Sequence, residues 1–67
     1  MKARIFSRIG LFVNIRMEAD IGSPIVARLT NNTIVDVVSR GKEWSAIVFD
    51  TKNGYVMNQF LVFGEEQ

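Results

Sequence analysis

The chain has 67 residues and a formal net charge of +1; 48% of its residues are hydrophobic and 22% are charged. This length has room for one core, and the composition is that of a folded domain rather than a disordered segment. Cysteine and histidine are both absent, which excludes disulfide bonds, thiolate chemistry and the usual zinc and haem ligands. We therefore expect one domain over residues 2–63, a flexible tail over residues 64–67, and no metal or other cofactor.

Runs of β-branched and aromatic residues, separated by short polar or glycine-containing turns, predict an all-β domain of five to seven antiparallel strands. The predicted strands are 3–9, 11–16, 25–29, 34–38, 44–49, 55–57 and 61–63, with a 3-10 turn at 58–60. Asn31-Asn32 predicts a tight turn because asparagine tolerates the left-handed conformation. Residues 50–54 predict a tight hairpin, with Asn53-Gly54 as its turn dipeptide. So small a sheet protects its edges by curling into a barrel.

The basic residues are unevenly distributed along the chain. Residues 1–16 hold four of the eight basic residues and none of the seven acidic ones. Alternation places Lys2, Arg4, Phe6 and Arg8 on one face of the first predicted strand, a pattern that suits nucleic-acid binding through phosphate contacts and base stacking. Alternatively, the charges protect a sheet edge from aggregation, or Phe6 folds over the end of the barrel and is buried.

The order of these features resembles the bacterial SH3 domain family, often called SH3b, over about residues 5–62. Val13-Asn14-Ile15-Arg16 is similar to the opening signature of that family, a Leu-Asn-Val-Arg-like segment that precedes a loop rich in Ser, Gly and Pro. Trp44 resembles the tryptophan that opens a later strand of the family. Gly54-Tyr55-Val56 and the later Leu61 are similar to its closing segments.

The resemblance implies an SH3-like barrel that acts as a non-catalytic binding module, known in the family mainly for binding cell wall peptides or other proteins. The chain departs from the family pattern at Met17–Asp20, where small residues and glycine are usual, and at the Asn31-Asn32 turn, which usually contains glycine. Enzymatic activity is not expected, because no histidine can activate a nucleophile and no motif places two carboxylates across a cleft.

We expect a ligand groove bordered by residues 17–20 and 39–43, beside Trp44 and Tyr55. The candidate groove residues are Arg16, Glu18, Asp20, Lys42, Trp44 and Tyr55. Trp44 and Arg16 also have less specific interpretations. The single tryptophan of so small a domain can cap the core instead of binding a ligand, and Arg16 can pair locally with an acidic residue of the following loop.

The expected function is recognition of a protein or peptide partner by a small intracellular adaptor or inhibitor in a bacterial or phage-related setting. The first residues lack the apolar run of a signal peptide, so a cytoplasmic location is expected. The alternatives are peptidoglycan binding within an exported assembly and nucleic-acid binding through the basic first strand. Apolar strands in so small a chain also predict a homodimer, with Phe6, Phe12 and Phe63 as candidate contacts.

Overall fold

A computed structural model describes residues 1–64, so Glu65, Glu66 and Gln67 of the predicted tail lie outside the described residues. The described chain forms seven strands and one 3-10 turn, which confirms the all-β prediction. The elements in chain order are β1 (Lys2–Ile5), β2 (Phe12–Arg16), β3 (Ile25–Thr30), β4 (Ile34–Arg40), β5 (Trp44–Phe49), β6 (Lys52–Met57), the 3-10 turn (Asn58–Phe60) and β7 (Leu61–Phe63). Among residues 1–64, no helix is long and apolar enough to cross a membrane.

The strands form one antiparallel sheet in the order β3-β2-β6-β5-β4-β1-β7. Side chains from six of the strands meet in one buried cluster, and β3 packs partly buried apolar residues against it. The cluster consists of Ala3, Ile5, Val13, Ile15, Val35, Val37, Ile47, Phe49, Val56 and Leu61. Strands as far apart in the sheet as β2 and β1 share this core only because the sheet curls around it. The architecture is therefore the predicted SH3-like barrel.

The first strand is shorter than predicted, because it ends at Ile5 instead of Ile9. β1 has β4 on one side and β7 on the other, and Ile5 is its last residue with a partner in β7. Beyond it, the Phe6 N–H donates to the carbonyl of Phe60 in the 3-10 turn. The alternation predicted for the strand therefore holds where neighbouring strands exist and fails at Ile9, which is 97% exposed.

The turn between β5 and β6 also differs from the prediction. Phe49 pairs with Lys52, so Asp50 and Thr51 form the turn, and Asp50 adopts the left-handed conformation with φ of 54°. Gly54 lies buried inside β6 instead, where an added Cβ would stand 2.6 Å from Cγ2 of Ile15. This glycine serves the close approach of two strands rather than a reversal of the chain. The other predicted turn is confirmed, since Asn32 has φ of 76°.

Candidate functional site

The two faces of β2 have different environments. Val13 and Ile15 point inward and are buried in the core. Asn14 and Arg16, which alternate with them, are partly buried on the outer face of the barrel. Successive side chains of a strand point to opposite faces, so one short segment supplies both the core and the outer surface.

The outer faces of β2, β6 and β5 form a continuous surface. Arg16 lies opposite Tyr55 on β6, and Trp44 at the start of β5 lies opposite Met57 at the end of β6. Side chains directly opposite each other in an antiparallel pair share one face of the sheet. This register therefore brings the start of β5 close to the polar side chains of β2.

A groove of about 210 Å³ opens on this outer face. Most of its wall is apolar, and β2 supplies polar groups to it. The apolar wall consists of Ile9, Phe12, Ile21, Trp44, Met57 and Phe60. The remaining lining residues are Ser7, Val13, Asn14 and Arg16. The groove thus combines partly exposed rings and aliphatic side chains with one amide and one guanidinium group.

The two polar side chains that β2 supplies to the groove differ in their hydrogen bonding. Asn14 Oδ1 is buried and has no hydrogen-bond partner, although buried acceptors in proteins are usually satisfied. Nη1 of Arg16 donates to the Ser23 carbonyl at 2.9 Å, which holds the guanidinium group in place. At the Phe12 end of β2, the guanidinium group of Arg28 lies 5.3 Å from the centre of the phenylalanine ring.

The connection between β1 and β2 forms one rim of the groove and is held by Asn31. The Asn31 Oδ1 accepts the Ser7 N–H at 2.8 Å, and its Nδ2 donates to the Gly10 carbonyl at 2.9 Å. Between these anchors, Ile9 is 97% exposed, and Leu11 just beyond them is 82% exposed. The loop thus presents two large apolar side chains to solvent beside the groove.

The loop after β2 folds back on itself without an ion pair to Arg16. Ser23 Oγ accepts the Glu18 N–H, and Asp20 Oδ1 accepts the Gly22 N–H. Arg16 binds the Ser23 carbonyl rather than either carboxylate, so the alternative of a local ion pair is wrong. Glu18 and Asp20 lie outside the groove lining, whereas Ile21 from the same loop belongs to it.

The remaining predicted groove residues are divided between neighbouring surfaces. Trp44 is partly buried in the groove wall and lies outside the core cluster. Tyr55 lines an adjoining depression with Ala46 and other residues of the outer face. Lys42 lines a third depression, next to Asn58 of the 3-10 turn. Of the predicted set, the groove therefore brings together Arg16 and Trp44.

The Lys42 loop between β4 and β5 is held by Asn58. Its Nδ2 donates to the carbonyls of Gly41 and Lys42, and its Oδ1 accepts the Ser45 hydroxyl. Gly41 suits this loop because an added Cβ would stand 2.5 Å from the Trp44 carbonyl oxygen. The backbone that carries Trp44 into the groove is thus fixed from both sides.

Only two members of the predicted basic stripe, Lys2 and Arg4, lie on β1, because this strand ends at Ile5. Lys2 forms an ion pair with Asp36 at 2.9 Å. Arg4 donates to Asn32 Oδ1 and lies over the Phe6 ring. The fourth member, Arg8, lies in a bend beyond the end of β1. Edge protection is a wrong interpretation of these charges, because β1 is paired on both sides.

Each phenylalanine proposed for a dimer contact lies beneath an arginine. The ring-to-guanidinium distances are 5.6 Å for Phe6 with Arg4, 5.3 Å for Phe12 with Arg28 and 3.8 Å for Phe63 with Arg40. Such contacts shield one face of each ring and offset part of its exposure to water. Phe60 packs against the core and also lines the groove. The homodimer stays a prediction.

Some groove residues were not singled out in the sequence. Asn14 carried a usable signal, because it stands in the family-like signature between two core positions. Ile9 and Ile21 had a weaker signal as apolar residues in segments otherwise polar. Met57 had none, because its place beside Trp44 depends on the register of β5 and β6.

These features define a small SH3-like β-barrel with a groove on its outer face. The family model described as the bacterial SH3 domain matches residues 11–62 of the chain, and the chain belongs to this family. The resemblance inferred from the sequence is thereby confirmed. Domains of this family are generally binding modules. A search of curated proteins returned no match.

Proposed function

We propose that this domain is a non-catalytic binding module for a protein or peptide partner and works in the cytoplasm as a small bacterial or phage-related adaptor or inhibitor. The observation that carries the proposal is the rim formed by the connection between β1 and β2, which Asn31 holds in place while leaving Ile9 almost wholly in water. Burial of such side chains by a partner releases free energy that the isolated domain does not recover.

The size and lining of the groove support a peptide as ligand. Its volume of about 210 Å³ lies below the roughly 300–1,000 Å³ of typical small-molecule sites. It suits one or two side chains of a longer chain. Trp44 supplies a rigid surface that anchors a partner at little entropic cost.

Affinity capture from a bacterial lysate with three variants tests the proposal. Ile9→Ala and Trp44→Ala alter the groove, whereas Ile34→Ala removes the same atoms from a half-exposed isoleucine on β4, outside the groove lining. We expect a salt-resistant protein partner that Ile9→Ala and Trp44→Ala lose and Ile34→Ala retains. Binding of the purified partner that is equal in all variants would reject the groove as the site, and loss on nuclease treatment would indicate nucleic acid.

A cell wall peptide is the second candidate ligand, because membership in the bacterial SH3 family favours it. Sedimentation with purified peptidoglycan tests this function, with the same Ile9→Ala and Ile34→Ala pair as matched variants. Pelleting that depends on Ile9 supports it, and pelleting no greater than that of a control protein rejects it. Fractionation of the producing cell separates the two candidates further, since the adaptor belongs in the cytoplasm and the wall-binding module outside it.

A further inference from the structure

We propose that the groove binds a peptide segment in which a carboxylate lies next to a large apolar side chain. This inference rests on the proposed function and adds the chemistry of the ligand. It follows from two neighbouring features of the groove: its charge and its apolar wall.

The charge of the groove is complementary to a carboxylate. Arg16 is the one charged side chain among the lining residues that the structure describes, and no carboxylate lines the groove with it. The guanidinium group has five N–H donors, and one nitrogen of Arg16 is anchored on the Ser23 carbonyl. The remaining donors form a fixed, planar group of the kind that binds carboxylates. Arg28 adds positive charge next to Phe12.

The apolar wall accounts for the second part of the ligand. Trp44, Met57 and Phe12 flank the polar groups, so a side chain next to the bound carboxylate is buried against them. The same composition disfavours nucleic acid, whose binding depends on several cations along a track of phosphates. A single lining cation in a mostly apolar groove fits one carboxylate better than such a track.

Three short peptides test the proposal by their effect on the amide and indole resonances of the labelled domain. The first is N-acetyl-Leu-Phe with a free carboxylate, the second is the same peptide as its terminal amide, and the third is N-acetyl-Asp-Phe amide. We expect the first or third to shift the Asn14 side-chain amide and the Trp44 indole, and the neutral peptide to bind about tenfold more weakly. Comparison of the first with the third distinguishes a terminal from a side-chain carboxylate.

Arg16→Gln supplies the matched variant, with Arg40→Gln as its control because Arg40 stacks on Phe63 outside the groove. We expect Arg16→Gln to remove the preference for the charged peptides and Arg40→Gln to retain it. Thermal unfolding of both variants verifies that each is folded. If Arg16→Gln does not fold, the comparison of the charged and neutral peptides on the parent domain decides the proposal.

Each other result overturns the proposal. Equal binding of the neutral and charged peptides would show that the groove does not recognise a carboxylate. The groove would still bind peptides, so the proposed function survives. Absence of groove shifts with all three peptides at millimolar concentration rejects this ligand, and the Ile9→Ala capture experiment then decides the proposed function independently. Tighter binding of a short oligothymidylate at the same resonances assigns the groove to nucleic acid.

Discussion

The inner and outer faces of β2 illustrate two different demands on one strand. The inner residues Val13 and Ile15 are 4% and 0% exposed and contribute through the apolar area they remove from water. The outer residues Asn14 and Arg16 add little to the core and leave one acceptor unsatisfied. The inner face is thus explained by folding, whereas burial in the core does not account for the polar side chains of the outer face.

The largest expected effect comes from truncating the inner face. Ile47 is wholly buried in β5, so Ile47→Ala removes buried methyl groups and leaves a cavity, at a cost of about 2–5 kcal/mol in the free energy of unfolding. A domain of this size has roughly 3–10 kcal/mol of stability in total, so this single substitution removes a substantial share of it. Chemical denaturation monitored by Trp44 fluorescence measures the change.

Ile9→Ala is the matched control, because it removes the same atoms from a side chain that is 97% exposed. We expect its free energy of unfolding to stay within about 0.5 kcal/mol of the parent value, while partner binding falls. A destabilisation comparable to that of Ile47→Ala would show that the rim belongs to the core and would contradict the distinction between the two faces.

The next largest effect is expected at Gly54, where the inner faces of β6 and β2 approach each other. Gly54→Ala places a Cβ 2.6 Å from Ile15 Cγ2 and 3.0 Å from the Arg16 carbonyl oxygen. Such overpacking costs about 1–3 kcal/mol. Gly22→Ala is the control, because its new Cβ would meet its nearest atom at 3.6 Å. Equal stability of the two variants would mean that β2 and β6 can move apart at Gly54 without a loss of stability.

The fold was predictable from the sequence because burial on the inner face imposes a period of two. The prediction for β5 was confirmed at both ends, Trp44 and Phe49. The prediction of a turn was wrong where tertiary packing decides the local conformation. Asn53-Gly54 has the usual sequence of a hairpin turn, but the closeness of Ile15 requires the glycine within β6, and the turn forms at Asp50 instead.

The site was less predictable than the fold. Trp44 and Arg16 were proposed from residue type and from the family-like signature, and both line the groove. Lys42 and Tyr55 were proposed from their places in the chain, but they face neighbouring depressions. Which outward side chains meet depends on strand register and sheet curvature, and neither leaves a periodic signal in a single sequence.

A smaller effect on stability is expected at Asn31, which holds the connection between β1 and β2. Asn31→Ala removes the hydrogen bonds to Ser7 and Gly10, which contribute about 1 kcal/mol each at most in a partly buried setting. We expect modest destabilisation with markedly faster amide hydrogen exchange in residues 7–11. Asn53→Ala, an exposed asparagine in β6, is the control. Unchanged exchange in the loop would show that Asn31 does not hold the rim.

The smallest expected effect concerns a charged pair on the outer surface. Lys2 and Asp36 face each other across β1 and β4 with side chains 50% and 51% exposed. A double-mutant cycle with alanine isolates their coupling from the other contacts of Lys2, and solvent reduces it to about 0.2–1 kcal/mol. Added salt weakens it further. A coupling above about 2 kcal/mol would mean that outer-face charges stabilise this domain as strongly as core packing.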